Sequence, residues 1–225
     1  LLGGLQGVLG WYMVKSGLVD NPHVSQYRLT AHLAAAFLIY AYMFWVALQH
    51  LLPKAELQQG RSLSISHNRH SRWLTTLITI TILSGGFVAG LKAGYGYNTF
   101  PDMAGQYIPD GLFRENPLWI NLFENRTTVQ FDHRILAITV LFATLAFWFR
   151  YRVEPLSRYA RMGMNALFIM SLIQVALGIS TLLLVVPTAL ASTHQAGAVA
   201  LFTIALFVTF VSRQATGEEH EETIN

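Results

Sequence analysis

Residues 128–150 read TVQFDHRILAITVLFATLAFWFR, and from Ile135 to Phe149 no charge interrupts the run. A helix of this length crosses about 30 Å of hydrocarbon. It also satisfies its own backbone hydrogen bonds, which lipid cannot do. Four further apolar runs lie on either side, at roughly 29–50, 73–95, 159–186 and 189–212. The chain opens in a glycine-rich apolar segment, Leu1 to Val14, that is too short to span, since a span needs about 20 residues. The expected fold class is therefore an all-α polytopic membrane protein with six helices, the first of them partial. With no initiator Met, the sequence is expected to be an N-terminally truncated fragment.

Composition agrees. Of 225 residues 53% are hydrophobic and 12% charged, about half the charged share of a soluble domain. The net charge of +3 is small, and the basic residues fall between apolar runs, so nothing points to nucleic acid. The chain has no cysteine, which excludes disulfides, thiolate metal sites and cysteine nucleophiles. No secretory signal is visible.

Lys and Arg set the orientation. Lys54, Arg61, Arg69 and Arg72 mark the 53–72 loop as cytoplasmic, and Arg150, Arg152, Arg158 and Arg161 do the same for the 150–161 turn. The long 96–127 loop sets Asp102, Asp110, Glu115 and Glu124 against Arg114 and Arg126 and belongs outside. Residue 1 and the polar tail after Arg213 then share the cytoplasmic side.

A weak internal repeat aligns LQGVLG (5–10) and RLTAHLAAAFL (28–38) with IQVALG (173–178) and ASTHQAGAVALF (191–202). It pairs Gln6 with Gln174, Gly10 with Gly178 and His32 with His194. Repeated halves are common in membrane proteins.

Of eight histidines, three stand inside expected spans: His32, His133 and His194. Each lies about five residues from the outer end, a shared depth of roughly 7 Å. An ionisable group in a span is costly, so it usually faces the bundle interior and has a task. Neutral imidazoles ligate haem iron, and two on facing helices clamp a porphyrin. His133 and His194 would form such a pair, with Ala191, Ala196, Gly197 and Ala198 leaving room for a flat ring. Interhelical hydrogen bonding or a proton path is the plainer alternative. The repeat gives the second unit two histidines and the first only His32, whose partner would precede residue 1. That predicts two further helices, eight in all, and two haem sites, one incomplete here.

Arg28 and Arg134 flank His32 and His133, where they would pair with haem propionates or snorkel to the interface. Gln130, one turn before His133, would touch the haem edge or bond a neighbouring helix. Gly86, Gly90 and Gly94 form a small-residue stripe for close helix packing. The HNRH pair (67–70) has metal-binding spacing but is expected to be a solvated cytoplasmic turn. Trp119, Phe123 and Tyr97 suit an interfacial belt or a lid over a haem pocket.

Five motifs carry a resemblance: GWYMVKSGL (10–18), YRLTAHL (27–33), FVAGLKAGYGYNTFPDM (87–103), NPLWINLFENRTTVQFDHR (116–134) and PTALASTHQAGA (187–198). In order and over nearly the whole chain, they resemble the haem A synthases, in the class found in mitochondria and many Gram-negative bacteria. The resemblance implies eight transmembrane helices in two four-helix bundles, of which this chain covers the third to the eighth. On that reading 1–52 is the remaining half of the N-terminal bundle and 53–72 a linker. Residues 73–212 are the C-terminal bundle, and 213–225 a tail.

The implied activity is an oxidoreductase of the inner membrane, bacterial or mitochondrial. It converts haem O to haem A for terminal oxidases by oxidising a ring methyl to formyl with water-derived oxygen. The implied cofactor is haem b on His133 and His194. The substrate haem would have His32 on one side and, on the other, a histidine of the missing second helix. The family's essential glutamate lies three residues before that missing histidine. Gln130 holds the equivalent place in the second half, so no catalytic residue is expected in this chain, and the fragment alone should not turn over. Haem O synthase and an electron-transfer partner are implied associates, and a homo-oligomer stays open. Two other readings share the histidines: a b-type cytochrome that only transfers electrons, and a transporter or haem chaperone.

Overall fold

A computed structural model of the chain describes residues 2–15, 24–53 and 65–216. Its helices are α1 (Leu2–Lys15), α2 (Gln26–Leu51), α3 (Ile65–Gly90), the short α4 (Asn121–Glu124), α5 (Arg126–Tyr151), α6 (Arg158–Leu183) and α7 (Thr188–Thr216). Two 3-10 turns, Ala93–Tyr95 and Leu118–Ile120, lie between α3 and α4. No strand occurs among the described residues, where Met103 and Gln106 make an isolated bridge. Five helices, α2, α3, α5, α6 and α7, are long and apolar enough to cross a membrane. The chain is a multi-pass membrane protein. At 14 residues α1 is short of a span, as expected.

One boundary differs markedly from expectation. Helix α3 begins at Ile65, eight residues before the expected 73, and the HNRH pair lies inside it. His67 is wholly buried, so the solvated-turn reading is wrong for it. Ser212 Oγ donates to the Val208 carbonyl at 2.6 Å, which leaves it to accept from His67 Nδ1 at 2.9 Å. His70 turns instead to the Tyr151 hydroxyl, 2.7 Å from its Nδ1. The two rings therefore serve different partners rather than one metal. The rest of the expected linker, 54–64, lies outside the described residues, as do His23, His220 and the end of the tail.

Asn125 starts α5. Its Oδ1 accepts the backbone N–H groups of Thr127 and Thr128 at 2.9 and 3.3 Å, satisfying donors that a helix start leaves open. Within the spans, hydroxyls are turned back on their own helix: Thr144 to Val140, Thr181 to Leu177 and Thr79 to Thr75. That keeps polar side chains satisfied without water.

The contacts gather into two compact units. The first comprises 1–40, 80–137 and 176–194 and holds all three intramembrane histidines. In it α3 packs tightly on α2. A Cβ added at Gly90 would lie 2.6 Å from the Gln26 Cα, and one at Gly86 2.8 Å from the Thr30 hydroxyl. Small residues permit this approach where lipid supplies no hydrophobic drive between helices. Gly94 falls in the 3-10 turn beyond α3 and meets Val186 instead.

The second unit comprises 41–79, 138–175 and 195–225. Leu48, Ala160, Phe210 and Val211 pack together there, with Trp45 edge-on to Phe210. Thr75 and Thr209 share a hydrogen bond of 2.8 Å between α3 and α7.

Candidate functional site

His32 stands on α2, His133 on α5 and His194 on α7. Each rests against a glycine of another helix. A Cβ at Gly10 would lie 3.0 Å from His32 Cε1 and 3.6 Å from each ring nitrogen. At Gly178 the same three distances to His194 are 3.0, 3.6 and 3.6 Å. The paired positions of the internal repeat thus have the same geometry. Gly85 stands in this relation to His133, 3.2 Å from Cε1. A glycine fits because any side chain would reach the imidazole and push it aside.

Sequence reading passed over Gly85, because the neighbouring Gly86, Gly90 and Gly94 supplied a periodic pattern and Gly85 falls off it. It also passed over Ser84. Its Oγ donates to the Thr81 carbonyl at 2.7 Å and lies 2.7 Å from His133 Nδ1. A hydroxyl has one proton, and Thr81 takes it. His133 Nδ1–H therefore donates to Ser84, and Nε2 keeps a lone pair. A partner on one ring nitrogen that frees the other for a metal is the usual support of a ligating histidine. His133 and His194 are both partly buried.

His32 differs. Gln6 Nε2 donates to the His32 carbonyl at 2.9 Å and lies 3.5 Å from its Nε2. The His32 Nδ1 is buried with no hydrogen-bond partner among the described residues. Glycine cradles against three imidazoles, and a fixed tautomer at one of them, fit haem as a ligand.

The other expected site residues have visible occupations. Gln130 is buried, and its amide bonds both ways to Tyr97: Nε2 donates to the carbonyl at 2.9 Å and Oε1 accepts the N–H at 3.2 Å. Arg134 donates to the carbonyls of Tyr97, Thr99 and Asp102 at 2.8–2.9 Å. Both residues reach from α5 into the outer loop and hold it by its backbone. Arg28 lies over the Tyr12 ring, 5.2 Å from the centroid. Asn98 adds bonds to the carbonyls of Gly94 and Leu182. Asp102 accepts from the Gly105 N–H and the Thr99 hydroxyl, both at 2.8 Å. These donors, Gly105 first, hold its carboxyl below the ordinary carboxylate range. Of the three belt aromatics, Trp119 is exposed, Phe123 packs on Phe87 and Tyr27, and Tyr97 is pinned by its backbone.

Comparison with known proteins adds a second line. The model of a cytochrome oxidase assembly protein family, COX15-CtaA, matches residues 1–206. The chain is 57% identical to "Heme A synthase" of Nitrosospira multiformis over 95% of its own length and 60% of that protein's. It is 50% identical to "Heme A synthase" of Paramagnetospirillum magneticum, covering 92% of itself and 58% of that protein. Against "Heme A synthase COX15" of Homo sapiens the identity is 48%, over 90% of this chain and 51% of the relative. The chain thus spans between half and three-fifths of these relatives. No solved structure matches it.

Proposed function

Because the chain belongs to the COX15-CtaA family of cytochrome oxidase assembly proteins, we propose that it is part of a haem A synthase, an oxidoreductase that oxidises the ring methyl of haem O to the formyl of haem A. One observation carries the reading: the Gly10–His32 and Gly178–His194 pairs repeat one geometry, as two haem sites built from one plan would.

In this reading His133 and His194 hold a haem b, and His32 faces the substrate haem from one side. Residues 1–52 contribute to the substrate bundle and 73–212 form the haem b bundle. The porphyrin supplies the redox chemistry, while the protein orients it and sets its electronics. Ser84, on His133 Nδ1, would leave Nε2 as the neutral nitrogen available to hold the iron. Gln130 and Arg134 act on the site through the loop they bind, and Arg28 is the cation left to pair with a propionate. Two two-electron oxidations of the methyl carbon each add a hydroxyl from water and release two protons, and loss of one water from the resulting gem-diol leaves the formyl, so an acceptor for four electrons in all is required. Haem O synthase and that acceptor are the associates this chemistry calls for. No observation favours the electron-transfer-only or transporter readings.

The test is to express the full-length protein with haem O synthase and analyse extracted haems. Haem A is expected, and unchanged haem O would refute the enzyme. His133→Ala should abolish haem at the C-terminal site in a pyridine haemochrome assay.

A further inference from the structure

In the second unit, at the arginine-rich end of α3 and α5, lies a groove of about 530 Å³. That is within the range of about 300–1,000 Å³ typical of small-molecule sites. Its floor is buried Leu74 and Phe147, and Trp73, 67% exposed, forms a wall. Ala143 and Ala146, one turn apart on α5, are short side chains that leave the space open.

Two polar groups stand at its mouth: His70 and Arg150, both exposed. His70 is held by the Tyr151 hydroxyl on Nδ1. Arg150 lies over the Tyr151 ring, 5.0 Å from its centroid, and ion-pairs with Glu154. A guanidinium has five N–H donors, so one carboxylate does not exhaust it. Arg69 and Arg72 are exposed near the start of α3, and Arg152 follows α5 with its guanidinium over the Trp148 and Phe149 rings. Arg150 is the arginine that lines the groove.

Hydrocarbon walls beneath a cationic mouth, at the end of two spans, complement one kind of molecule. We propose that this groove binds an anionic phospholipid of the cytoplasmic leaflet, its phosphate at His70 and Arg150 and an acyl chain along Trp73, Leu74 and Phe147. Basic pockets between spans on the cytoplasmic side take such headgroups, and an exposed Trp beside the mouth suits the headgroup level. Arginine matches phosphate through paired N–H donors. An isoprenoid quinone would fill the same apolar walls and accept from His70, but it is uncharged and gives Arg150 nothing to do.

The experiment is native mass spectrometry of the full-length protein, stripped of lipid in detergent and titrated with phosphatidylglycerol, phosphatidylcholine or decylubiquinone. The expected result is one retained phosphatidylglycerol with preference over phosphatidylcholine. Arg150→Gln should weaken it about tenfold, the scale of a lost hydrogen bond to a charged group. Arg150 is exposed, so this variant tests the mouth without disturbing packing, and Ala146→Phe tests the groove by filling it. Equal retention of both phospholipids would overturn the proposal. So would retention indifferent to both substitutions, or decylubiquinone displacing phosphatidylglycerol in an Arg150-independent way.

Discussion

At the residue scale the site depends on what is missing beside each imidazole. Glycines at 10, 85 and 178 leave room in which His32, His133 and His194 keep their orientation. Gly178→Ala would place a methyl 3.0 Å from His194 Cε1, closer than carbon packing allows. The ring must give by a few tenths of an ångström, and if His133 and His194 hold a haem as proposed, its content is expected to fall in a haemochrome assay while the protein still inserts. Ser84 acts differently. Without its hydroxyl, His133 Nδ1 loses the Ser84 partner at 2.7 Å, and the imidazole becomes a weaker donor. Ser84→Ala is expected to lower haem affinity by about tenfold, the usual cost of a lost outer partner, and to raise the haem midpoint potential in a redox titration. A potential unchanged by this substitution would show that Ser84 only packs. Both residues are neutral and small, and neither type advertises a ligand site in a sequence.

At the element scale the outer connection between α3 and α5 is the unexpected component. Its composition, rich in aromatics and turn formers, suggested a belt or a lid. The structure shows its backbone tied down by side chains: Gln130 and Arg134 from α5, Asn98 to α6, and Asn121 to the Glu115 backbone N–H and carbonyl. Asp102 is the carboxylate whose hydrogen bonds hold the Thr99–Gly105 turn. Its folded carboxyl ionises more readily than in the unfolded chain, so it stabilises the loop fully above the ordinary carboxylate range. That contribution is lost as pH falls through the depressed folded value. The protection factor of the Gly105 amide, its exchange rate corrected for the intrinsic pH dependence, should therefore fall on acidification below the ordinary range, and Asp102→Asn should remove that change. A protection factor that responds to pH identically in both proteins would dissociate Asp102 from the loop's order.

At the scale of the whole molecule, five spans and the Lys/Arg asymmetry demand that the 96–127 loop and the α5–α6 turn lie on opposite sides of the membrane. The absence of native cysteine makes this directly testable. Cysteine placed at Tyr107, 76% exposed, should react with an impermeant maleimide from outside. Cysteine at Val153, 81% exposed, should react only after permeabilisation. Reversal of the two patterns would invert the topology and with it the leaflet that the groove faces.

The chain alone determined the elements that long-range order cannot override. A span-length stretch with almost no charge and no alternation must satisfy its own backbone in lipid and so forms a helix, and α2, α5, α6 and α7 begin within three residues of where the apolar runs suggested. The same logic predicts one depth for the three histidines, because rise per residue converts spacing into depth. It failed where polar residues belong to a helix interior. ISHNRHSR reads as loop until Ser212 of α7 and Tyr151 of α5 supply partners for its imidazoles. Only the tertiary structure could show that Gln130 and Arg134 face a loop, or that Ser84 and Gly85 stand at His133. Which neighbour satisfies a hydrogen bond, and which gap stays empty, is set by the approach of helices distant in sequence, and no local pattern encodes that approach.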